Sequence, residues 1–313
     1  MPHLAGFGKA LPEGVVANAA LAAEFGVTEE WIVSVSGIRE RRRADAGETA
    51  ATLAHRADLG ALEQASLAPS DLGAIVLGTG SSPRRFPGVS ADLQRLLGAP
   101  GIPAFDVPLA SAGGIFALAL GVDLASRYGP VLVVGAEVMS RLLDRPPRVK
   151  ETAILFGDGA GACVVRPGRG PVEVADIRIA SDGALGDDLS MPAGGPLAMN
   201  GRTVILQASR KLPAAVRDLL SRAGLTPADV DLYVFHQANL VLLRQVAKTL
   251  GVEESRLVID VDRYGNTSAA SMLIALAGAA EAGRLTPGSR VVLAAFGAGF
   301  SWGAALLNVT ASV

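Results

Sequence analysis

Apolar runs that end in polar residues recur along the chain and predict buried strands leading into helices. The run at residues 232–235 is followed by His-Gln-Ala-Asn at 236–239, and the run at 257–261 precedes Gly-Asn-Thr-Ser-Ala-Ala-Ser at 265–271. A third run, at 105–107, leads to Ser111 and then to an apolar helical segment over residues 112–128. We therefore expect three polar segments at strand-to-helix transitions, where side chains from distant parts of the chain can meet.

The composition favours an α/β protein with an aliphatic core. Half of the residues are hydrophobic but only 4% are aromatic, so Ala, Val, Leu and Ile must fill the interior. Residues 291–309 are nearly free of charge and long enough to suggest a membrane span, but three glycines in this segment favour two buried strands joined by a turn. The first residues lack the features of a signal peptide. We expect a cytoplasmic protein with no membrane partner.

Charge and metal-ligand content exclude two further classes of protein. Lys and Arg number 28 against 30 Asp and Glu, which leaves no basic excess for a nucleic-acid partner. The single cysteine, Cys163, lies in an apolar run typical of a buried strand and is interpreted as a core residue. Three scattered histidines and one cysteine cannot form a metal cluster, so we predict no metal site.

The three polar segments combine a hydroxyl group with two hydrogen-bond donors. An imidazole at His236 and a carboxamide at Asn266 can both donate to an oxygen that gains charge during a reaction. Ser111 at a helix N-terminus can be a nucleophile or only a helix cap. Likewise, His236 can be a core histidine and Asn266 a turn residue. The local sequence leaves both interpretations open.

The two motifs, 30 residues apart, resemble those of the 3-oxoacyl-[acyl-carrier-protein] synthase III family, the initiating ketosynthases of the thiolase superfamily. The match extends from Gly6 to Gly303 and includes Ser-Gly-Ile-Arg-Glu-Arg at 36–41 and Phe-Gly-Asp-Gly-Ala-Gly-Ala at 156–162. The resemblance implies a thiolase fold, in which two similar halves form five α-β-α-β-α layers. A weak internal repeat, residues 130–135 against 290–295, agrees with halves at 1–168 and 169–313.

One departure from the family concerns the nucleophile, which is a cysteine where this chain has Ser111. The resemblance implies that Ser111, His236 and Asn266 are catalytic, and that the backbone N–H groups of Ser111 and Ala298 form the oxyanion hole. A helix N-terminus can activate a thiol but not a serine hydroxyl, so we expect His236 to act as the base. Ser111 is therefore a native nucleophile or a laboratory replacement that traps a complex.

The resemblance also suggests how substrates bind. Trp31 and Lys150 correspond to residues that stack on the coenzyme A adenine, Phe156 would face the site, and Asn239 would contact the carrier arm. Phe86 would cross the interface of a homodimer and close the partner's acyl pocket. Three positions that carry or adjoin positive charge in the family are apolar here, namely Val35, Leu206 and Val241. Arg244 and Lys248 are candidates to supply replacement charge.

The expected function is that of a ketosynthase III-type enzyme. It would load an acyl group from acyl-coenzyme A or acyl carrier protein onto residue 111 and condense it with a malonyl thioester to a 3-oxoacyl product. The first alternative is a serine-dependent, starter-selecting or ester-forming acyltransferase without condensation. The second is a non-catalytic ketosynthase partner. We expect no cofactor, because coenzyme A or phosphopantetheine enters as a thioester substrate.

Overall fold

The computed structural model describes residues 1–144, 148–192 and 194–313. Its strands are β1 (Pro2–Ala10), β2 (Gly14–Ala17), β3 (Glu40–Arg43), β4 (Ala74–Gly78), β5 (Ala104–Val107), β6 (Val131–Val138), β7 (Asp158–Pro167), β8 (Val172–Ser181), β9 (Leu189–Ser190), β10 (Ala198–Met199), β11 (Leu232–Phe235), β12 (Arg290–Gly297) and β13 (Ser301–Val309). Its helices are α1 (Asn18–Phe25), α2 (Glu29–Ser36), α3 (Ala50–Ala65), α4 (Val89–Leu97), α5 (Gly113–Tyr128), α6 (Ser140–Leu143), α7 (Lys150–Ala153), α8 (Gly201–Arg222), α9 (Leu240–Leu250), α10 (Val261–Tyr264) and α11 (Ser271–Glu281).

Nine of the strands form one mixed sheet in the order β11-β12-β13-β8-β1-β7-β6-β4-β5. At one end β4 and β6 are parallel and β6 and β7 antiparallel; at the other, β11 and β12 are parallel and β12 and β13 antiparallel. Strands β1 and β8 join the two ends and pair only through His3 and Leu4. Both ends therefore follow the same strand order. The division of the chain at residues 168 and 169 stays a prediction, and it falls between β7 and β8.

Helices cover both ends of the sheet and fill the space between them. Helices α3 and α4 pack on one outer face, and α8 and α9 pack on the other. Helices α5 and α11 lie in the middle, where their buried aliphatic side chains contact strands from both ends of the sheet. This is the predicted α-β-α-β-α order, which is confirmed.

Most of the elements predicted from apolar runs are present. The run at 232–235 is β11, the helix predicted over 112–128 is α5, and residues 291–309 form β12 and β13. Cys163 is fully buried in β7. Among the described residues, no helix combines the length and apolar character that crossing a membrane requires.

The strand predicted over residues 257–261 is wrong. Only Leu257 pairs with β11, through a single bridge to Tyr233, and helix α10 already begins at Val261. The reason is that a buried side chain occupies the backbone donors a strand partner would need. The Gln237 Oε1 atom accepts hydrogen bonds from the N–H groups of Asp260 and Val261, at 3.1 and 3.3 Å.

Candidate active site

Ser111 lies in a short 3₁₀ turn, Ala110–Ala112, between β5 and α5. The preceding residue, Ala110, has a φ of 41°, a left-handed conformation that costs a residue with a side chain roughly 1–2 kcal/mol. Strain of this kind is often found at functional sites. Gly297, at the end of β12, packs directly on the turn, because a Cβ atom added there would lie 3.1 Å from the Ser111 Cβ. The turn thus holds the serine against the end of β12.

Two backbone N–H groups next to the Ser111 side chain are available as donors. Within the described ranges, neither Ser111 nor Ala298 donates its N–H to a backbone or side-chain acceptor. Ala298 directly follows Gly297, which contacts the serine. A pair of free N–H groups close to a hydroxyl group can stabilise an oxyanion that forms on an attacked carbonyl.

His236 directly follows β11 and is held by hydrogen bonds to both its backbone and its ring. Its N–H donates to the Ala294 carbonyl at 2.8 Å, and its Nδ1 lies 2.6 Å from the Ser271 Oγ. The same Oγ accepts the Gln237 N–H at 3.0 Å. When the Ser271 hydroxyl donates its proton to Nδ1, Nε2 carries the ring hydrogen and serves as a donor.

Burial determines the charge of His236. The side chain is 7% exposed, and desolvation lowers the pKa of His236 to about 4, partly opposed by the Ser268 carbonyl. The imidazole is therefore neutral at pH 7 and a weak base. In the part of the chain that the structure describes, no hydrogen bond joins the Ser111 hydroxyl to His236. These features suit a neutral hydrogen-bond donor better than the base expected for serine.

Asn266 is fixed by a bridge to the segment that carries Phe156. Its N–H donates to the Leu155 carbonyl at 2.8 Å, and its carbonyl accepts the Gly157 N–H at 3.0 Å. The side-chain Oδ1 accepts the Ser268 N–H at 2.9 Å. This hydrogen bond fixes the orientation of the side-chain amide. Among the described residues the Nδ2 group has no acceptor, so it can donate into the site.

Ser111, His236 and Asn266 line one cavity of about 280 Å³. Three of the predicted substrate-binding residues, Trp31, Phe156 and Asn239, line the same cavity. Of the others, Lys150 places its Nζ 5.0 Å from the centre of the Trp31 ring. Ala298 lines a second cavity of about 770 Å³, which Ala110 also borders. Phe86 lines neither cavity in a single chain and is 84% exposed.

Glu137 is a buried polar residue next to the site that the sequence analysis missed. Its carboxylate accepts hydrogen bonds from the N–H groups of Gly80 and Ala269 at 3.0 and 3.1 Å, and from the Thr79 hydroxyl at 3.1 Å. Burial raises the pKa of Glu137, and hydrogen bonds from the Ser81 hydroxyl and from the Gly80 and Ala269 N–H groups oppose the rise. The available signal was a carboxylate within the apolar run of β6. Ser271 lies within the motif at 265–271, but its hydrogen bond to His236 was not predicted.

Comparison with known proteins agrees with this geometry. Residues 105–183 match the family profile of 3-oxoacyl-[acyl-carrier-protein] synthase III, and residues 220–309 match the profile of its C-terminal part. The β-ketoacyl-[acyl-carrier-protein] synthase III of Erythrobacter litoralis is 41% identical and covers 97% of this chain and 98% of its own. That of Agrobacterium fabrum is 40% identical with the same coverage.

Solved structures show the same fold. The 3-oxoacyl-[acyl-carrier-protein] synthase III from Aquifex aeolicus superimposes with a TM-score of 0.94 at 35% identity, over 98% of this chain and all of its own. The priming β-ketosynthase of the R1128 polyketide pathway gives 0.91 at 32% identity, over 100% of this chain and 97% of its own. The predicted thiolase fold is confirmed. Because identity and fold agree over nearly the whole length, this chain belongs to the 3-oxoacyl-[acyl-carrier-protein] synthase III family.

Proposed function

We propose that this protein is a ketosynthase III-type enzyme that carries an acyl group on Ser111 and condenses it with a malonyl thioester. The observation that supports this most is the meeting of the Ser111 hydroxyl with two hydrogen-bonding side chains, His236 and Asn266, in one apolar cavity. An inert scaffold would not need both donors. No cofactor takes part, and the thioester of coenzyme A or of phosphopantetheine is the substrate.

The first step is acyl transfer to the serine. The Ser111 Oγ attacks the thioester carbonyl, a carbon–oxygen bond forms, and the carbon–sulfur bond breaks. The hydroxyl proton passes to the leaving thiolate, which departs as a free thiol. The N–H groups of Ser111 and Ala298 stabilise the oxyanion of the tetrahedral intermediate.

The second step is decarboxylative condensation. The malonyl thioester loses carbon dioxide, and the electrons of the broken bond form an enolate whose oxygen accepts hydrogen bonds from His236 and Asn266. The enolate carbon then attacks the acyl carbonyl on Ser111. A carbon–carbon bond forms, the ester bond to Ser111 breaks, and the serine oxygen takes up a proton from the solvent as the 3-oxoacyl thioester leaves.

The serine also favours a second candidate function, in which the acyl group passes to a different nucleophile without condensation. A serine hydroxyl is a far weaker acid than a thiol and needs a base, whereas burial lowers the pKa of His236 to about 4.

Product analysis distinguishes the two candidate functions. We expect the wild type to form 3-oxoacyl product from acyl and malonyl thioesters, slowly, and Ser111→Cys to form it at least about tenfold faster. A wild type that releases no carbon dioxide while acylating an alcohol or amine would establish the second function.

We further propose that the protein works as a homodimer. Phe86 is 84% exposed on a loop that borders the second cavity through Arg84, Arg85 and Pro87. A large exposed aromatic ring beside an open groove next to the nucleophile suits a contact with a second copy, in which Phe86 would reach the partner's acyl pocket. Strand β5, at the end of the sheet, has one edge free for the same contact.

A further inference from the structure

A third cavity, of about 400 Å³, lies beside α10 and the C-terminal part of α11. Among the residues that the structure describes, it shares none of its lining with the two cavities next to Ser111. Its lining combines Lys9 on β1, residues 258–260 and 263–264, a run of small residues on α11, and Arg284. Cavities of roughly 300–1,000 Å³ are typical of sites that bind small molecules.

The carboxyl group of Asp260 is a buried polar group without a partner in this cavity. Asp260 is 6% exposed and lines the cavity, yet its side-chain oxygens accept no hydrogen bond from any residue that the structure describes. Its backbone N–H is already used, because it donates to the Gln237 Oε1 atom. Nearly all buried polar groups in folded proteins have a hydrogen-bond partner. The partner of this carboxyl group therefore has to enter from the cavity.

Two cations of the lining are held away from Asp260 by other contacts. The Lys9 Nζ atom lies 2.6 Å from the Glu281 carboxylate. The Arg284 guanidinium donates to two backbone carbonyls at 3.1 and 3.0 Å. Neither side chain can move onto the Asp260 carboxyl group without losing an existing partner. The protein itself therefore does not close the gap.

Arg263 and Tyr264 present unused hydrogen-bond donors to the same cavity. The Arg263 Cζ atom lies 5.0 Å from the centre of the Tyr264 ring, a cation–π contact that leaves the guanidinium N–H groups available. Within residues 1–144, 148–192 and 194–313, the Arg263 side chain forms no ion pair or hydrogen bond, and the Tyr264 hydroxyl forms no hydrogen bond. A guanidinium group binds carboxylates and phosphates well, because its donors form a planar fork.

The balance of charges indicates which class of ligand fits. Lys9 and Glu281 neutralise each other, so the remaining groups are the buried Asp260 carboxyl and the cations Arg263 and Arg284. A simple anion would place a second negative charge beside Asp260, and a metal cation would lie among positive charges. A molecule that has both an ammonium group and an anionic group meets the needs of both sides.

We infer that this cavity binds a small zwitterion, whose ammonium group donates to the Asp260 carboxylate and whose carboxylate or phosphate accepts hydrogen bonds from Arg263. The small residues of the α11 wall leave room for a short aliphatic chain between the two charged groups. These residues are Ala275, Gly278, Ala279 and Ala282. The inference does not depend on the proposed function, because the lining includes neither Ser111 nor His236 nor Asn266.

Calorimetry with ω-amino acids tests the class of ligand. The probes run from glycine to 6-aminohexanoate, O-phosphoethanolamine represents the phosphate form, and butylamine and butanoate each carry a single charge. We expect at least one zwitterion to bind with a Kd below about 1 mM, and at least about tenfold more tightly than butylamine or butanoate. Tightest binding of O-phosphoethanolamine would identify the anionic group as a phosphate. No binding of any zwitterion at about 20 mM, or equal binding of a singly charged probe, would overturn the inference.

Asp260→Asn and Arg263→Gln test the two ends of the site. We expect each variant to bind the best zwitterion at least about tenfold more weakly, because each removes one partner of a charge pair. Asp262→Asn and Arg169→Gln are the matched controls, since neither side chain lines the cavity, and should change the affinity by less than about threefold. Thermal unfolding checks that every variant is folded. Unchanged binding in Asp260→Asn or Arg263→Gln, or an equal loss in the controls, would contradict the site.

A count of released protons tests the contact with Asp260 itself. Burial raises the pKa of Asp260 to about 7, the positive charges of Arg263 and Lys9 oppose the rise, and Asp262 adds to it. At about pH 6 the carboxyl group is therefore mostly protonated, and an arriving ammonium group displaces the proton. Calorimetry in buffers of different ionisation enthalpy should show up to about one proton released at about pH 6, and almost none at about pH 8.5 or in Asp260→Asn. The same proton count at both pH values in the wild type would show that the ammonium group does not reach Asp260.

Discussion

At the scale of single residues, Ser111 and Asn266 each lie within two positions of a residue with a left-handed backbone conformation. Ala110 precedes Ser111 with a φ of 41°, and Ser268 follows Asn266 with a φ of 46°. Each lies in a 3₁₀ turn ahead of a buried central helix, α5 or α11. Residues other than glycine rarely adopt a left-handed backbone conformation. Its occurrence at both turns indicates that backbone strain accompanies the positioning of Ser111 and Asn266.

The neutral state of His236 predicts a pH-dependent stability. Its pKa is about 4 in the folded protein against an ordinary value of 6.5, so the unfolded chain binds more protons between these values. The free energy of unfolding should therefore fall as the pH falls from 6.5 to 4, by up to about 1.4 kcal/mol per pH unit. We expect His236→Gln to flatten this slope in urea unfolding measured at several pH values. Parallel slopes for the two proteins would contradict a buried neutral imidazole.

The buried, unpaired carboxyl group of Asp58 predicts that its removal stabilises the protein. Its carboxyl group is fully buried in α3, and neither oxygen has a hydrogen-bond partner among the described residues. Burial raises the pKa of Asp58 well above its ordinary value. We expect Asp58→Ala to increase the free energy of unfolding by about 1–2 kcal/mol, because it removes an unpaired buried polar group. Glu63→Ala, at an exposed acid on the same helix, should change it by less than about 0.5 kcal/mol. A destabilised Asp58→Ala protein would mean that the carboxyl group has an important partner.

At the scale of secondary-structure elements, the sequence predicted strands well where apolar runs pair along their length. Strand β11 and the pair β12 and β13 are such cases. Residues 257–261 have the same apolar character, yet Gln237 binds two of their N–H groups and α10 follows. A hydrophobic pattern indicates which residues are buried, but it does not indicate which group accepts hydrogen bonds from their backbone N–H groups. The role of the Gln237 side chain therefore could not be predicted from the sequence.

The hydrogen bonds of Glu137 predict that β6, the Gly80 loop and the turn before α11 stabilise one another. Its carboxylate joins strand β6 to the Gly80 loop and to the turn that begins α11, through the Ala269 N–H. We expect Glu137→Gln to lower the free energy of unfolding by roughly 1–3 kcal/mol, because an amide nitrogen cannot accept these donors. Chemical denaturation would measure this loss. Glu13→Gln, at an exposed position, is the control. Equal stability of the Glu137→Gln protein would show that the contact is dispensable.

At the scale of the whole molecule, the site lies where three segments that are distant in the sequence meet. Ser111 lies on the turn before α5, His236 follows β11, and Asn266 lies shortly after α10. The family motifs predicted these three residues and the layer order. They did not predict the shape of the cavity, because its lining comes from loops and helices scattered between residues 31 and 297. How closely these loops and helices pack depends on tertiary contacts, which a short sequence motif does not specify.

The proposed homodimer makes a prediction at the same scale. We expect Phe86→Ala to accept a wider range of acyl donors without unfolding, because the ring would no longer close the partner's pocket. Donor specificity is measured with a panel of acyl thioesters, and oligomeric state by light scattering. Leu59→Ala, at an apolar residue on α3 that is 49% exposed, is the control. A fully active monomer, or unchanged donor specificity in Phe86→Ala, would contradict the dimer contact.

The covalent step at Ser111 is the central claim, and peptide mapping by mass spectrometry tests it most directly. The protein is incubated with a panel of acyl thioesters, digested and analysed for added acyl mass. We predict one acyl group on the peptide that contains Ser111, faster loading in Ser111→Cys, and none in Ser111→Ala. An acyl group on another residue in Ser111→Ala, or no acylation of the wild type by any donor while Ser111→Cys is fully loaded, would contradict a catalytic serine.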